Sequence, residues 1–198
     1  MLLKAIAYAY KKHEGQTRIG GKPYITHPVA VAKILEQKGF TTPYLLTGLF
    51  HDLKEDTNAT DEEIREYGED ILIAVNLLTK RKGYVMSEYI LEISKNIIAK
   101  MVKLADRLHN LQCAVEANLA FRKRYIRETE MYYLDLARGT VFEEDIIQAL
   151  NNLKMVNDEE RKVLKDLDDM YAEYEATHAL QKFEEDLNKE KKIKNTKI

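Results

Sequence analysis

A histidine–aspartate doublet lies inside an apolar helical run, in the segment Leu49-Phe50-His51-Asp52-Leu53-Lys54-Glu55-Asp56-Thr57. Tyr44, Leu45, Leu46, Leu49, Phe50 and Leu53 make an apolar surface wider than the single stripe of a solvent-facing helix. A chain with this segment has to bury the helix. An imidazole and a carboxylate buried with it cost free energy unless they are paired or hold a metal. His51 and Glu55, like Asp52 and Asp56, are spaced i,i+4, so each pair shares a helix face one turn apart. One turn can hold a metal while the next aims carboxylates at an attacking water.

The rest of the chain reads as helices with few interruptions, since 198 residues contain only 3 prolines and 8 glycines. Residues 2–13 form a helical pattern with Leu2, Leu3, Ile6, Ala7 and Tyr10 on one side. Gly15 to Pro23 is a loop. A helix starts near Thr26 with Pro28 in its first turn, where the missing N–H costs nothing, and runs to Lys38 with Gly39 as its cap. Pro43 opens the helix that carries His51 and Asp52. Thr60-Asp61-Glu62-Glu63 is a capping box, and Gly68 ends that short helix. Residues 69–79, 86–96, 97–112, 121–138 and 143–153 are further helical patterns, and no alternating strand is visible. The expectation is an all-α bundle over residues 1–153, followed by residues 154–198 as a charged helix with a Lys-rich tail. Within 158–190, Leu164, Leu167, Tyr171, Tyr174, His178 and Gln181 recur at three- and four-residue spacing. That face either docks on the domain, the preferred reading, or offers a seam for a homo-oligomer.

Charge and cysteine content exclude several classes. The formal net charge of -2 gives no global field for nucleic acid or a membrane surface. The 1 cysteine, Cys113, rules out an intrachain disulfide and reads as a buried structural thiol. No apolar run has the length of a membrane span, and Met1-Leu2-Leu3-Lys4 opens directly into a helix without a signal-peptide layout. A cytoplasmic protein without nucleic-acid or membrane partners is expected.

Two further residues join the doublet as candidate ligands. His27 stands at the mouth of a helix, where a surface or capping role is the ordinary alternative. Asp106 interrupts the apolar stretch of Ile98, Met101, Val102 and Ala105, and is either a ligand or an ion-pair partner of Arg107 or Arg124. Together His27, His51, Asp52 and Asp106 would supply two imidazoles and two carboxylates, a set suited to manganese, iron or zinc rather than calcium. No histidine lies between Asp52 and Asp106, so one catalytic metal is expected.

The pattern of His27, His51-Asp52 and Asp106 resembles the HD-domain phosphohydrolases. Four blocks in order narrow this: His13-Glu14-Gly15-Gln16-Thr17-Arg18; Pro23-Tyr24-Ile25-Thr26-His27-Pro28; His51-Asp52 with Glu55-Asp56-Thr57; and Val102 to Asn110. They resemble the hydrolase domain of the Rel/SpoT family over roughly residues 1–153. The resemblance implies a helical HD-domain bundle and a guanine-nucleotide alarmone as substrate. It also implies metal-dependent removal of the 3′-pyrophosphate of guanosine tetra- or pentaphosphate, leaving GDP or GTP. Because the chain ends after one domain and a charged helix, a small stand-alone hydrolase without synthetase activity is expected. Carried over by position, His27, His51, Asp52 and Asp106 would bind Mn2+, and Glu55 and Asp56 would orient or deprotonate the water. Arg18 and Tyr24 would flank the guanine, and Asn110 would lie beside the nucleoside. Three departures stand out. Ile19 replaces a Lys that often follows the loop arginine, Lys54 replaces a small apolar residue, and Tyr84 to Ile97 does not match well. They keep open an alternative, an HD-domain phosphohydrolase acting on a nucleotide monophosphate or NADPH. Cations that could meet the anionic substrate include Lys80, Arg81, Lys82, Lys103, Arg107 and Lys123, with Arg122, Arg124 and Arg127 foremost.

Overall fold

A computed structural model describes residues 1–18, 21–163, 165–167 and 170. Ile19, Leu164 and the stretch from Tyr171 through the Lys-rich tail lie outside the described residues, so most of the proposed C-terminal seam does too. The backbone groups Met1–Lys154 into one compact unit and the chain from Met155 into another. Of the second, residues 155–163, 165–167 and 170 are helical.

The first unit is all-helical among the described residues. It comprises α1 (Leu2–Lys12), α2 (Thr26–Gln37), α3 (Thr42–Phe50), α4 (Leu53–Asp56), α5 (Asp61–Arg65), α6 (Glu69–Leu78), α7 (Met86–Ser94) and α8 (Ile97–Cys113). After a 3-10 turn at Ala114–Glu116 come α9 (Leu119–Glu128), a π-turn at Thr129–Tyr133, α10 (Leu134–Ala137) and α11 from residue 143 to the end of the unit. The Gly15 to Pro23 loop is closed by one isolated bridge between Thr17 and Pro23. Helix starts follow side-chain caps: Thr60 and Glu63 form the reciprocal capping box of α5, and Asn96 and Asn118 cap α8 and α9.

Two apolar clusters hold the unit together. One joins Ala5 and Ala9 of α1 to Leu46, Leu49 and Phe50 of α3, Leu53 of α4, Ile64 of α5, and Ile71, Leu72 and Val75 of α6. The other surrounds α8, with Val31 and Leu35 of α2, Val102, Leu104 and Leu111 of α8, Tyr133, Phe142 and Ile146. Burying each such Leu, Ile or Phe contributes roughly 1.5–3 kcal/mol. In α1 the buried stripe is Ala5 and Ala9, while Leu3 and Tyr10 are exposed, a correction to the face read from apolar spacing. Small residues are what let α1 approach α3 closely.

Gly48 sets the spacing of α2 and α3. A Cβ there would lie 2.9 Å from Leu35 Cδ1 and 3.4 Å from the Ala32 backbone. The helix carrying Gly48 also breaks sooner than its apolar pattern predicts: α3 ends at Phe50, His51 and Asp52 form a turn, and α4 begins at Leu53. The break lets neighbouring side chains aim into one space.

A candidate metal centre and its cleft

His51 enters from the α3–α4 turn, Asp52 from the same turn, His27 from the first turn of α2, and Asp106 from the middle of α8. His27, His51 and Asp106 each present a ligand atom within 4.8 Å of the others. Asp52 Oδ2 joins them, 3.1 Å from His51 Nε2 and 3.7 Å from His27 Nε2. Asp106 Oδ1 lies 3.1 Å from His27 Nε2 and 3.7 Å from His51 Nε2. All four candidate ligands read from the sequence are therefore brought to one point, and both histidines are buried.

The donor set fits a divalent cation. His51 Nδ1 donates to the Gly48 carbonyl at 2.8 Å, which leaves its Nε2 as the free lone pair. That Nε2 is buried and meets no partner in hydrogen-bond geometry, although two carboxylates stand beside it. Close approach without hydrogen-bond geometry is how ligands converge on a shared centre. Burial alone would lower the pKa of His51, but Asp52 and Asp106 outweigh it and push it up to about 10. Burial lowers that of His27 against the pull of Asp106. Burial also opposes ionisation of Asp106, but Lys103 and the two imidazoles hold it well below the usual carboxylate range. A cation can take the place of the proton that Asp52 and Asp106 hold on His51.

Asp106 is held from its other side by Lys103 Nζ at 2.8 Å, both residues being buried on α8. This partner, one turn earlier on the same helix, replaces the Arg107 or Arg124 pairing that the sequence left open. Asn110 Nδ2 also donates to Asp106 Oδ1.

Glu55 and Asp56 project from α4 beside the ligands. Asp56 Oδ2 lies 2.9 Å from the Tyr24 hydroxyl, which is also 2.7 Å from Asp52 Oδ2. One phenolic proton is thus placed between a candidate ligand and a candidate base. Burial, then the Asp52 and Glu55 charges, raise the pKa of Asp56, while the Tyr24 hydrogen bond lowers it. Glu55 accepts from the Lys80 backbone N–H at 3.1 Å. Loop contacts place this turn: His13 Nδ1 bonds Gln16 Oε1 at 2.7 Å, and Gln16 Nε2 donates to the Asp56 carbonyl at 2.8 Å. On the far side, Lys54 ties α4 to Asp61 and Asn76. The unusual Lys54 is therefore a tether between helices.

The site opens into a cleft of about 660 Å³ whose other wall is cationic. The Arg107 guanidinium lies 3.7 Å from the Tyr133 ring centroid and 4.5 Å from that of Tyr125, and pairs with Glu128 at 3.1 Å. Its Nη1 is buried without a hydrogen-bond partner. Phe121 stacks on Tyr125 at 4.4 Å, and Arg124 lies over Phe121 at 5.2 Å. The π-turn at Thr129–Tyr133 delivers Tyr133 to the core beneath Arg107. Of the cations named from the sequence, Lys80, Lys103, Arg107 and Arg124 line the cleft, and Arg122 and Arg127 do not. Arg122 is buried and donates to the Val115 carbonyl at 3.3 Å.

Arg18 Nη2 donates to Asn110 Oδ1 at 2.7 Å, so two candidate substrate residues are already joined. The Tyr24 ring faces His13 at 4.7 Å while its hydroxyl reaches the carboxylates. Cys113 is exposed, not buried: it sits at the C-terminal end of α8 on the outer face, between the core residues Leu111 and Ala114. The residues missed from the sequence were Lys103 as a partner of Asp106, Gln16 as a strap, and His109, which contacts His27. The i,i+3 spacing was a signal for Lys103, whereas Gln16 and His109 act across 40 and 82 residues, which no local pattern announces.

The HD domain family matches residues 5–83. A GTP pyrophosphokinase of Myxococcus xanthus is 34% identical over 152 residues, covering 69% of this chain and 20% of that protein. A probable guanosine-3′,5′-bis(diphosphate) 3′-pyrophosphohydrolase of Synechocystis is 34% identical over 149 residues, covering 69% and 20%. The Haemophilus influenzae guanosine-3′,5′-bis(diphosphate) 3′-pyrophosphohydrolase is 37% identical over 137 residues, covering 63% and 20%. The chain thus spans about 20% of the length of these curated relatives. The solved structure of a metazoan SpoT orthologue that hydrolyses ppGpp superposes with a TM-score of 0.67 at 27% identity, covering 76% of this chain and 94% of that one.

Proposed function

This chain carries an HD domain homologous to the hydrolase region of the Rel/SpoT proteins, and on that premise we propose that it hydrolyses the 3′-pyrophosphate of guanosine tetra- and pentaphosphate. The observation that carries the reading is the convergence of His27, His51, Asp52 and Asp106 in the same cleft as Glu55, Asp56 and a wall of cations. The products are GDP or GTP and pyrophosphate.

The four ligands would hold one divalent ion, with Mn2+ the proposed identity because the donors are imidazole and carboxylate without thiolate. When bound, such an ion lowers the pKa of water and polarises a phosphoryl oxygen. Asp56 is the proposed base: its raised pKa suits it to accept a proton, and Tyr24 holds its carboxylate in place. Glu55, fixed by the Lys80 backbone, orients the water. The water oxygen attacks the phosphorus attached to O3′, the P–O3′ bond breaks, and O3′ takes up a proton as pyrophosphate departs. Arg107, Arg124 and Lys103 face the anionic substrate and offset its charge despite the net charge of -2. Arg18 and Asn110 contact the nucleoside, and the Tyr24 ring flanks the base. Among the described residues no helix is long and apolar enough to cross a membrane.

A second reading, hydrolysis of another phosphorylated nucleotide, draws on Tyr84 and Met86. They line the cleft from the segment that departs from the Rel/SpoT pattern. The test is Mn2+-dependent release of pyrophosphate from guanosine tetraphosphate, with Asp52→Ala as control. Pyrophosphate with GDP, lost in the variant, supports the first reading. No release from folded, Mn2+-loaded protein, with turnover of a nucleotide monophosphate or NADPH in a substrate panel, replaces it with the second.

A further inference from the structure

The two ligand imidazoles are oriented by different devices. His51 Nδ1 donates to a backbone carbonyl, that of Gly48, at 2.8 Å. His27 Nδ1 instead faces a side chain, His109 Nδ1, at 2.8 Å. Two ring nitrogens that close share one proton, so one donates and the other accepts.

Arg18 settles the direction. Its Nη1 lies 3.4 Å from the same His109 Nδ1. A guanidinium only donates and keeps its protons, so His109 Nδ1 must be a lone pair. The proton between the rings therefore belongs to His27 Nδ1, which leaves His27 Nε2 as the lone pair facing Asp52 and Asp106. The proton of His109 then sits on Nε2, whose neighbour at 3.6 Å is Cys113 Sγ. Arg18, His109 and His27 form a chain in which each donor–acceptor direction follows from the one before it. The next residue on α8, Asn110, takes the other Arg18 nitrogen and holds Asp106.

We propose that His109 is a positioning residue for the metal ligand His27, fixing its tautomer and ring orientation by accepting from Nδ1. Outer partners of this kind change metal affinity about 10–100-fold when removed. The inference rests on the metal assignment within the proposed function and not on the nucleotide.

The experiment measures the Kd for Mn2+ of nucleotide-free protein, from the electron paramagnetic resonance signal of free Mn2+, in wild type and in His109→Asn, His109→Gln and His109→Leu. Asn carries an oxygen one bond beyond Cγ, at the place of Nδ1, whereas Gln reaches the place of Nε2. The expected result is about 10–100-fold weaker binding in the Leu and Gln variants, with Asn within a few-fold of wild type. Wild-type affinity in the Leu variant, or equal losses in Asn and Gln, overturns the proposal, the latter reducing His109 to a packing role. The Asn and Gln variants differ by one methylene and carry the test even if Leu lowers thermal stability. A protein that binds Mn2+ but leaves guanosine tetraphosphate intact defeats the substrate reading without affecting this measurement.

Discussion

The metal-facing and cation-facing walls of the cleft are built differently. On the first, carboxylates and imidazoles are interlocked: Lys103 on Asp106, Tyr24 between Asp52 and Asp56, Gly48 on His51, His109 on His27. Two imidazole nitrogens, His51 Nε2 and His27 Nε2, are left facing the carboxylates, where a metal would sit. On the second, positive charges rest on aromatic faces, and Arg107 keeps a buried nitrogen without a partner. Buried polar atoms are normally satisfied, and under the proposed function the anionic substrate would be the partner of this spare donor. The contrast teaches that the candidate ligands are fixed by contacts within the chain, while the cationic wall, under the proposed function, would be completed by the substrate.

The sharpest way to break this picture is Asp106→Asn. It removes a ligand and strands the buried Lys103 charge, so metal content should be lost and stability should fall by about 3–5 kcal/mol in denaturant unfolding. Retention of metal at full occupancy would place the ion elsewhere. Asp56→Asn should keep the metal but lower kcat about 10²–10⁴-fold, read in steady-state assays with Mn2+ titrated in parallel. Arg124→Gln touches only the cationic wall. It should reduce kcat/KM roughly tenfold to hundredfold with Mn2+ affinity unchanged, the difference between the walls in one measurement. Gly48→Ala should cost about 1–3 kcal/mol of stability, by unfolding, because the added Cβ meets Leu35. The smallest effect is in the pH profile. Asp56 must be deprotonated to accept a proton, so the acidic limb of kcat/KM should lie above the ordinary aspartate range. Tyr24→Phe removes a hydrogen bond that favours the carboxylate, and should move that limb further up.

Much of this was legible from residue order. Apolar spacing located the helices, and the cost of burying His51, Asp52 and Asp106 in apolar runs pointed to pairing or a metal. Tertiary geometry was not legible. The helix break at His51-Asp52 has no Pro or Gly to announce it, since a turn of two residues with helical-region backbone angles leaves the apolar pattern intact. Cys113 looked buried because it follows an apolar helix, but it falls on the outer face there, between the core residues Leu111 and Ala114. Lys103 looked like a surface cation because local sequence does not say that residues 101–108 are buried on all sides. The roles of Tyr24 and His109 depend on contacts 28 and 82 residues apart, beyond any periodicity.

The π-turn between α9 and α10 separates two inheritances. Its wide turn amounts to one residue inserted into a helix, and removing one residue would rotate the flanking segments by about 100° relative to each other. Leu136 and Ala137 anchor α10 in the core, so the rotation would fall on α9, whose Phe121, Arg122, Tyr125 and Ile126 would have to repack. A single-codon deletion or insertion there would present the cleft with a new helix face in place of Arg124 and Tyr125, while the four candidate ligands on α2, α8 and the α3–α4 turn stayed where they are. Under the proposed function, descendants of such a chain would change the molecules they accept in one step and keep the reaction.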